Sequence, residues 1–228
     1  MAGTCRKVVA CLLAAAAGSL PKLAHAQDAT AVAGTYCLVG VREVGSCVRL
    51  SADGQFEYFL AYGAYDENSE GTWRLENGEI IVDSLAYDRR PTFAFKRLQR
   101  SDTGAFDVVV ENKAGRALSL IDVRVTCDGR TIRAGVTGAD GYKVDCASAP
   151  TAVSLGLQMY GLAHQTIDVS GRAGVDKVYV FEFDPGDLAR KKFLAHRLRL
   201  ESGGRLVMIY ADTPIRELEG RSFAYVRN

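Results

Sequence analysis

Apolar residues recur at every second position through most of this chain, and turn pairs containing glycine cut that alternation into short runs. Phe56, Tyr58, Leu60 and Tyr62 show the period most cleanly, after a two-residue turn at Asp53-Gly54. Further runs are Cys47 to Leu50, Trp73 with Leu75, Ile80 to Val82, Val123 with Val125, and Val153 through Met159. Period two puts alternate side chains on opposite faces of an extended strand, and Asx-Gly pairs supply the positive backbone dihedrals of tight hairpins. Helical periodicity is nearly absent, so the chain reads as all-β, built from antiparallel meanders with one face in a core.

The first 26 of the 228 residues read as an export signal: Arg6 and Lys7, an apolar stretch from Val8 to Gly18, and a small-x-small site at Ala24-His25-Ala26. The apolar stretch is too short to span a bilayer. Its removal takes away Arg6, Lys7 and Lys22 and no acid, which turns 28 Lys+Arg against 27 Asp+Glu into a small acidic excess. That balance argues against nucleic acid or an anionic membrane as partner, since both call for a basic face. No later apolar run is long enough to cross a membrane. The expected location is the periplasm or the cell exterior.

Cys37, Cys47, Cys127 and Cys146 remain after cleavage, in a compartment where oxidation is the default. Four cysteines allow three pairings. Cys37–Cys47 and Cys127–Cys146 are favoured because each pair flanks a short stretch that reads as adjacent strands. Zinc on the four sulfurs is the alternative, with no close metal-type spacing to support it.

Strand signals divide the rest into modules. A first module covers residues 34–100 and holds six strands, the sixth around Phe93 and Phe95. Gln99 to Gly104 reads as a linker, and a second module follows over 105–184. Residues 185–228 hold a hairpin at Gly203-Gly204 and a closing strand, Phe223 to Val226. Asp184-Pro185-Gly186-Asp187 predicts a short helix through a capping Asp and a Pro at the first helical position. Thr213-Pro214 predicts another helical turn. Six strands in an open sheet leave two edges, a pairing liability that strands from 190–228 would remove by completing the first module.

The residues Gly34 and Tyr36, then Leu50, Asp53, Gly54 and Phe56, then Gly71 and Trp73 resemble the small lipocalin-like barrels of exported bacterial proteins, which run G-x-Y, L-x-x-D-G-x-F and G-x-W. Val110, Asn112, Gly115, Leu118 and Val123, then Asp128-Gly129, then Thr137, Asp140, Gly141 and Tyr142 resemble a prealbumin-type, carboxypeptidase-regulatory sandwich. The second resemblance implies a non-catalytic accessory role. Phe181, Phe183, Pro185, Asp187 and Leu188 complete an order of segments similar to uncharacterised exported bacterial proteins, to which no activity attaches.

Among candidate sites, the stretch Tyr62 to Glu70 with Trp73 beyond it stands out. Tyr62, Tyr65 and Trp73 offer aromatic faces for stacking, and Asp66, Glu67 and Glu70 accept hydrogen bonds, a combination suited to a small molecule, glycan or peptide. A pair of these acids could also serve a glycan or ester hydrolase. Set against both, the stretch reads as a solvated hairpin tip. His164 and His196 lie in no triad or metal pattern, and G-x-S-x-G is absent. Asp128 and Asp140 are explained by their turns, and Asp145 completes no calcium loop. Arg89-Arg90 and Arg190-Lys191-Lys192 read as solvated basic faces, the latter at the end of the short helix begun at Asp184. No catalytic residue, metal site or cofactor motif is assigned. The expectation is an exported, disulfide-stapled binding protein for an unknown small molecule, glycan or envelope protein, with an envelope structural component or a carboxylate hydrolase as alternatives.

Overall fold

The computed structural model describes residues 29–101, 105–172, 177–211, 213 and 215–228. The export signal, residues 102–104 of the expected linker, and Pro214 lie outside the described residues. Sixteen strands run through them: β1 (Gly34–Leu38), β2 (Val44–Leu50), β3 (Gln55–Tyr62), β4 (Tyr65–Glu76), β5 (Glu79–Ser84), β6 (Thr92–Arg100), β7 (Phe106–Glu111), β8 (Asp122–Cys127), β9 (Arg130–Val136), β10 (Tyr142–Val144), β11 (Pro150–Leu157), β12 (Leu162–Asp168), β13 (Lys177–Asp184), β14 (His196–Glu201), β15 (Arg205–Ile209) and β16 (Ser222–Arg227). Among the described residues no helix is long and apolar enough to cross a membrane.

Strands β1 to β5 and β14 to β16 close into an eight-stranded barrel whose neighbours follow chain order, with β16 returning to β1. Every pair in it is antiparallel. Closure leaves no unpaired edge, and the C-terminal strands supply it, as the two-edge argument anticipates. Asn77 (φ 53°) and Gly78 (φ 80°) make the tight β4–β5 turn in the left-handed region. Inward positions carry Tyr36, Leu50, Phe56, Leu60, Ile80, Leu198, Leu206, Met208 and Tyr225, all buried. Gly71 is where β4 passes closest to its neighbours: a Cβ there would lie 2.1 Å from the Asp83 carbonyl oxygen and 2.9 Å from the Phe56 ring. Trp73 is also inside, and its indole N–H donates to the Ser51 carbonyl at 2.8 Å.

The segment between β5 and β14 forms two four-stranded sheets, β10-β7-β13-β6 and β12-β11-β8-β9. They share one core, in which Phe93, Val108, Val110, Tyr179, Phe181 and Phe183 of the first sheet meet Val123, Val125, Val153 and Leu155 of the second. Phe93 and Phe183 stack with centroids 4.5 Å apart. Cys37 and Cys47 are directly opposite in β1 and β2, Cα atoms 4.1 Å apart, and form a disulfide. Cys127, the last residue of β8, is bonded to Cys146, two residues past β10, and so ties one sheet to the other.

Several expectations need correction. The sixth strand, expected in the first module, pairs with β13 over its length and belongs to the inserted unit. The second module is not wholly antiparallel, because β13 runs parallel to β7 from Val178 to Glu182. Gln99 and Arg100 of the expected linker are the last residues of β6. Asp184 ends β13, residues 186–189 form turns and Arg190 bridges to Asn68, so no helix forms there. The Asp184 carboxylate instead accepts from the Gly186 N–H at 3.0 Å and pairs with Lys113 at 2.8 Å and Arg89 at 3.2 Å. The expected loop at Tyr62 to Glu70 is continuous strand apart from Gly63-Ala64.

Candidate functional site at the barrel mouth

β4 is twelve residues long and outruns β5, which covers it only from Gly71 onward. Beyond that point the chain after β13 takes over as its neighbour. Asn68 N–H donates to the Ala189 carbonyl at 2.9 Å, and Lys191 N–H donates to the Asn68 carbonyl at 2.8 Å. Residues 189–193 therefore complete the wall between β4 and β14, and they alternate as a strand does. Arg190 and Lys192 face out, whereas Lys191 (8% exposed) and Phe193 face in.

The same alternation divides the predicted site. Tyr65, Glu67, Ser69 and Trp73 are buried, and Asp66 and Glu70 lie on the outer face. Tyr62 ends β3 opposite Tyr65 and packs half-buried against the barrel core. Glu70 stands 3.7 Å from Arg190 on the outside. The three acids thus do not converge, and Glu67 is parted from the other two by the barrel wall. Trp73 sits deeper, among filled side chains.

Glu67, 4% exposed, is held from two sides. Tyr58 OH donates to Glu67 Oε1 and Tyr65 OH to Oε2, each at 2.7 Å. A second hydroxyl cluster lies nearby, where Ser46 Oγ lies 3.0 Å from the Tyr225 hydroxyl and 3.3 Å from that of Tyr210, and donates to the Phe59 carbonyl at 2.7 Å. Burial pushes the Tyr58 phenol well up, and electrostatic coupling to Tyr210 and to Glu67 adds to it. Tyr65 is raised by burial first and by its bond to Glu67 second. Tyr210 and Tyr225 are raised by burial as well. All four stay protonated donors at neutral pH.

Across the mouth, Phe193 meets the Phe56 and Tyr58 rings edge-on at 5.8 and 5.1 Å and the His196 ring at 5.2 Å. Lys191 Nζ donates to the Ala211 carbonyl. The His196 imidazole is held below its usual pKa, by burial first and by the Lys191 charge second, so it is neutral at pH 7. Its Nε2 is buried and, among the described residues, has no hydrogen-bond partner. Tyr160, from a short 3-10 turn (Gln158–Tyr160) of the inserted unit, roofs the opening, with its ring 4.8 Å from that of Tyr65 and its hydroxyl accepting from Asp66 N–H at 3.1 Å.

These groups enclose a cavity of about 510 Å³, walled by Tyr58, Tyr65, Tyr160, Phe193, Met208 and Tyr210, with Glu67, Lys191 and His196 as its polar points. That is the size and character of a small-molecule site: aromatic walls, few convergent polar groups, placed in a barrel mouth against a second unit. Among the described residues no group of three or more His, Cys, Asp or Glu side chains is placed to hold a metal ion. Sequence reasoning found Tyr65 and Glu67 but missed Lys191, Phe193, His196, Tyr160 and Tyr210. Tyr210 carried a legible signal, as the last of the alternating apolar residues Leu206, Met208 and Tyr210. Comparison with protein-family models, with curated proteins and with solved structures finds no significant match for the chain.

Proposed function

We propose that this protein is a non-catalytic binding protein, exported to an oxidising compartment, that takes one small molecule into the mouth of its barrel and fixes a hydrogen-bond donor of that molecule on Glu67. The observation that carries the reading is the buried Glu67 carboxylate. Sealing a charge away from water costs several kcal/mol unless it is well compensated. Two phenol donors occupy two of roughly four acceptor positions on a carboxylate, and the group faces a cavity with room for a further donor. A barrel built only for stability would favour an apolar residue at such a place.

The lipocalin-like character of the barrel belongs to this same reading, supported by eight strands in up-and-down order and a pocket at the barrel mouth. The accessory, prealbumin-like character of the inserted unit is supported by its two sheets around a single core. Export is supported by the two disulfides.

The test is a panel of primary amines and alcohols carrying one aromatic ring, screened against the purified protein by thermal shift and native mass spectrometry. Binders are expected to raise the melting temperature of the wild type and to lose at least tenfold in affinity in Glu67→Gln. Binding that is indifferent to Glu67→Gln, or no binder at all, contradicts the reading.

A further inference from the structure

Among the described residues three side-chain atoms are buried without a hydrogen-bond partner: Ser69 Oγ, Asp107 Oδ1 and His196 Nε2. Of these three residues, His196 is the one that lines the cavity of about 510 Å³ at the barrel mouth. Native proteins leave few such atoms, because each forfeits the hydrogen bond it would make with water. His196 opens β14 and Glu67 lies on β4, with residues 189–193 between the two strands. Phe193, from that segment, touches Tyr58, the donor to Glu67, on one flank and His196 on the other. The cavity therefore offers the Glu67 carboxylate and the His196 imidazole as separate contacts, with aromatic surface between them.

Resting on the reading above, we propose that the ligand is a hydroxyaryl alkylamine, whose amine is held by Glu67 and whose uncharged ring hydroxyl hydrogen-bonds to His196 Nε2. The imidazole is held below its usual pKa, by burial first and by the Lys191 charge second, and so is neutral at pH 7. A charged group placed against it would give up its hydration for a neutral partner, which is costly. A hydroxyl both donates and accepts, and so satisfies Nε2 whichever ring nitrogen carries the proton. A ligand lacking the hydroxyl leaves Nε2 unpaired in the complex, the situation in which sites discriminate most strongly between analogues. Contact requires a small turn of the imidazole or of the Phe193 ring beside it, 5.2 Å away. The Phe193 ring is apolar, and its turning breaks no hydrogen bond. The tyrosines of the wall stack against the aryl ring that joins the two ends.

Two probes isolate the second contact, since tyramine and 2-phenylethylamine differ only by the para hydroxyl. Titration calorimetry of the purified protein should show tyramine binding at least about tenfold tighter, and Glu67→Gln should weaken both. His196→Phe keeps a ring and removes the nitrogen, and should make the two probes bind alike. Far-UV circular dichroism and melting temperature establish that each variant is folded. In the wild type, the His196 Nε2 resonance should move further with tyramine than with 2-phenylethylamine, a readout that depends on no substitution. If tyramine binds no tighter than 2-phenylethylamine while Glu67→Gln weakens both, the His196 assignment is wrong and the Glu67 reading survives. If the advantage of tyramine persists in folded His196→Phe, or Nε2 moves no further with tyramine, the assignment is wrong as well. If neither probe binds, the assignment fails, and the amine and alcohol panel decides separately whether the mouth binds anything.

Discussion

The Tyr58 hydroxyl donates to the Glu67 carboxylate at 2.7 Å across the β3–β4 pair, and both side chains point into the barrel. An outward pair of the same types would be a minor surface contact. Inside, the phenol is one of the two groups that make the buried charge tolerable. Tyr58→Phe leaves the ring packed and removes only that donor. We expect it to destabilise the fold by about 1–3 kcal/mol, the cost of under-satisfying a buried charged acceptor, measured as a shift of the urea midpoint. Glu67→Gln, which removes the charge and keeps the shape, should change stability by less than Tyr58→Phe does.

Gly71 is fixed by close packing. A Cβ there would overlap the Asp83 carbonyl oxygen at 2.1 Å, and that oxygen belongs to a β-ladder that cannot move alone. Gly71→Ala is expected to destabilise by roughly 1–3 kcal/mol through strain, whereas Gly45→Ala, with no neighbouring atom within 4 Å of its Cβ position, should cost far less. Chemical denaturation of the two variants side by side checks the difference.

The two disulfides close loops of sequence separation 10 and 19. Each should contribute roughly 2–4 kcal/mol in the chain-entropy picture, slightly more for the longer loop. Their structural roles differ. Replacing Cys37 and Cys47 by serine should lower stability with the barrel otherwise intact. Replacing Cys127 and Cys146 also unties the two sheets of the inserted unit, and should increase amide exchange in β8 and β10 specifically.

Glu111 ties β7 to β6, with Arg97 donating to both carboxylate oxygens at 2.9 and 2.8 Å and Lys96 pairing at 2.6 Å. Bonding to Arg97 first, and to Lys96 second, holds its carboxyl down at about 2. A group depressed in this way stabilises the fold fully above its unfolded pKa, about 4.3, and that contribution is lost as pH falls towards 2. Between pH 5 and 2 the wild type should therefore lose stability faster than Glu111→Gln. Urea midpoints of the two proteins over that window should converge as pH falls, and parallel curves would contradict the assignment.

Much of the fold was legible because barrel strands announce themselves by period two. Phe56, Tyr58, Leu60 and Tyr62 line up as read, and the two-edge argument led to the C-terminal strands. What misled was polarity on the inward face. Glu67 and Ser69 occupy positions where the alternation demands apolar residues, so a strand looked like a loop. Pairing with β3, from Gln55 opposite Thr72 to Tyr62 opposite Tyr65, holds it extended. The partner of β6 was hidden for a different reason. Phe93 and Phe95 look the same whether they pair with β5 or with Phe183 and Phe181 of distant β13, since a local pattern carries no information about a distant partner. Lys191 was hidden as Glu67 was, a charge standing on an inward face with Phe193 two residues on.

The central claim is that ligands enter at Glu67 inside the barrel mouth, and amide NMR of the labelled protein titrated with 2-phenylethylamine, a primary amine with one aromatic ring, tests it most directly. We expect shifts gathered at Tyr58, Tyr65, Glu67, Phe193, His196 and Tyr210, and their loss in Glu67→Gln. Shifts gathered instead at Asp66 and Glu70 on the outer face, or a mouth pattern unchanged in Glu67→Gln, would contradict it.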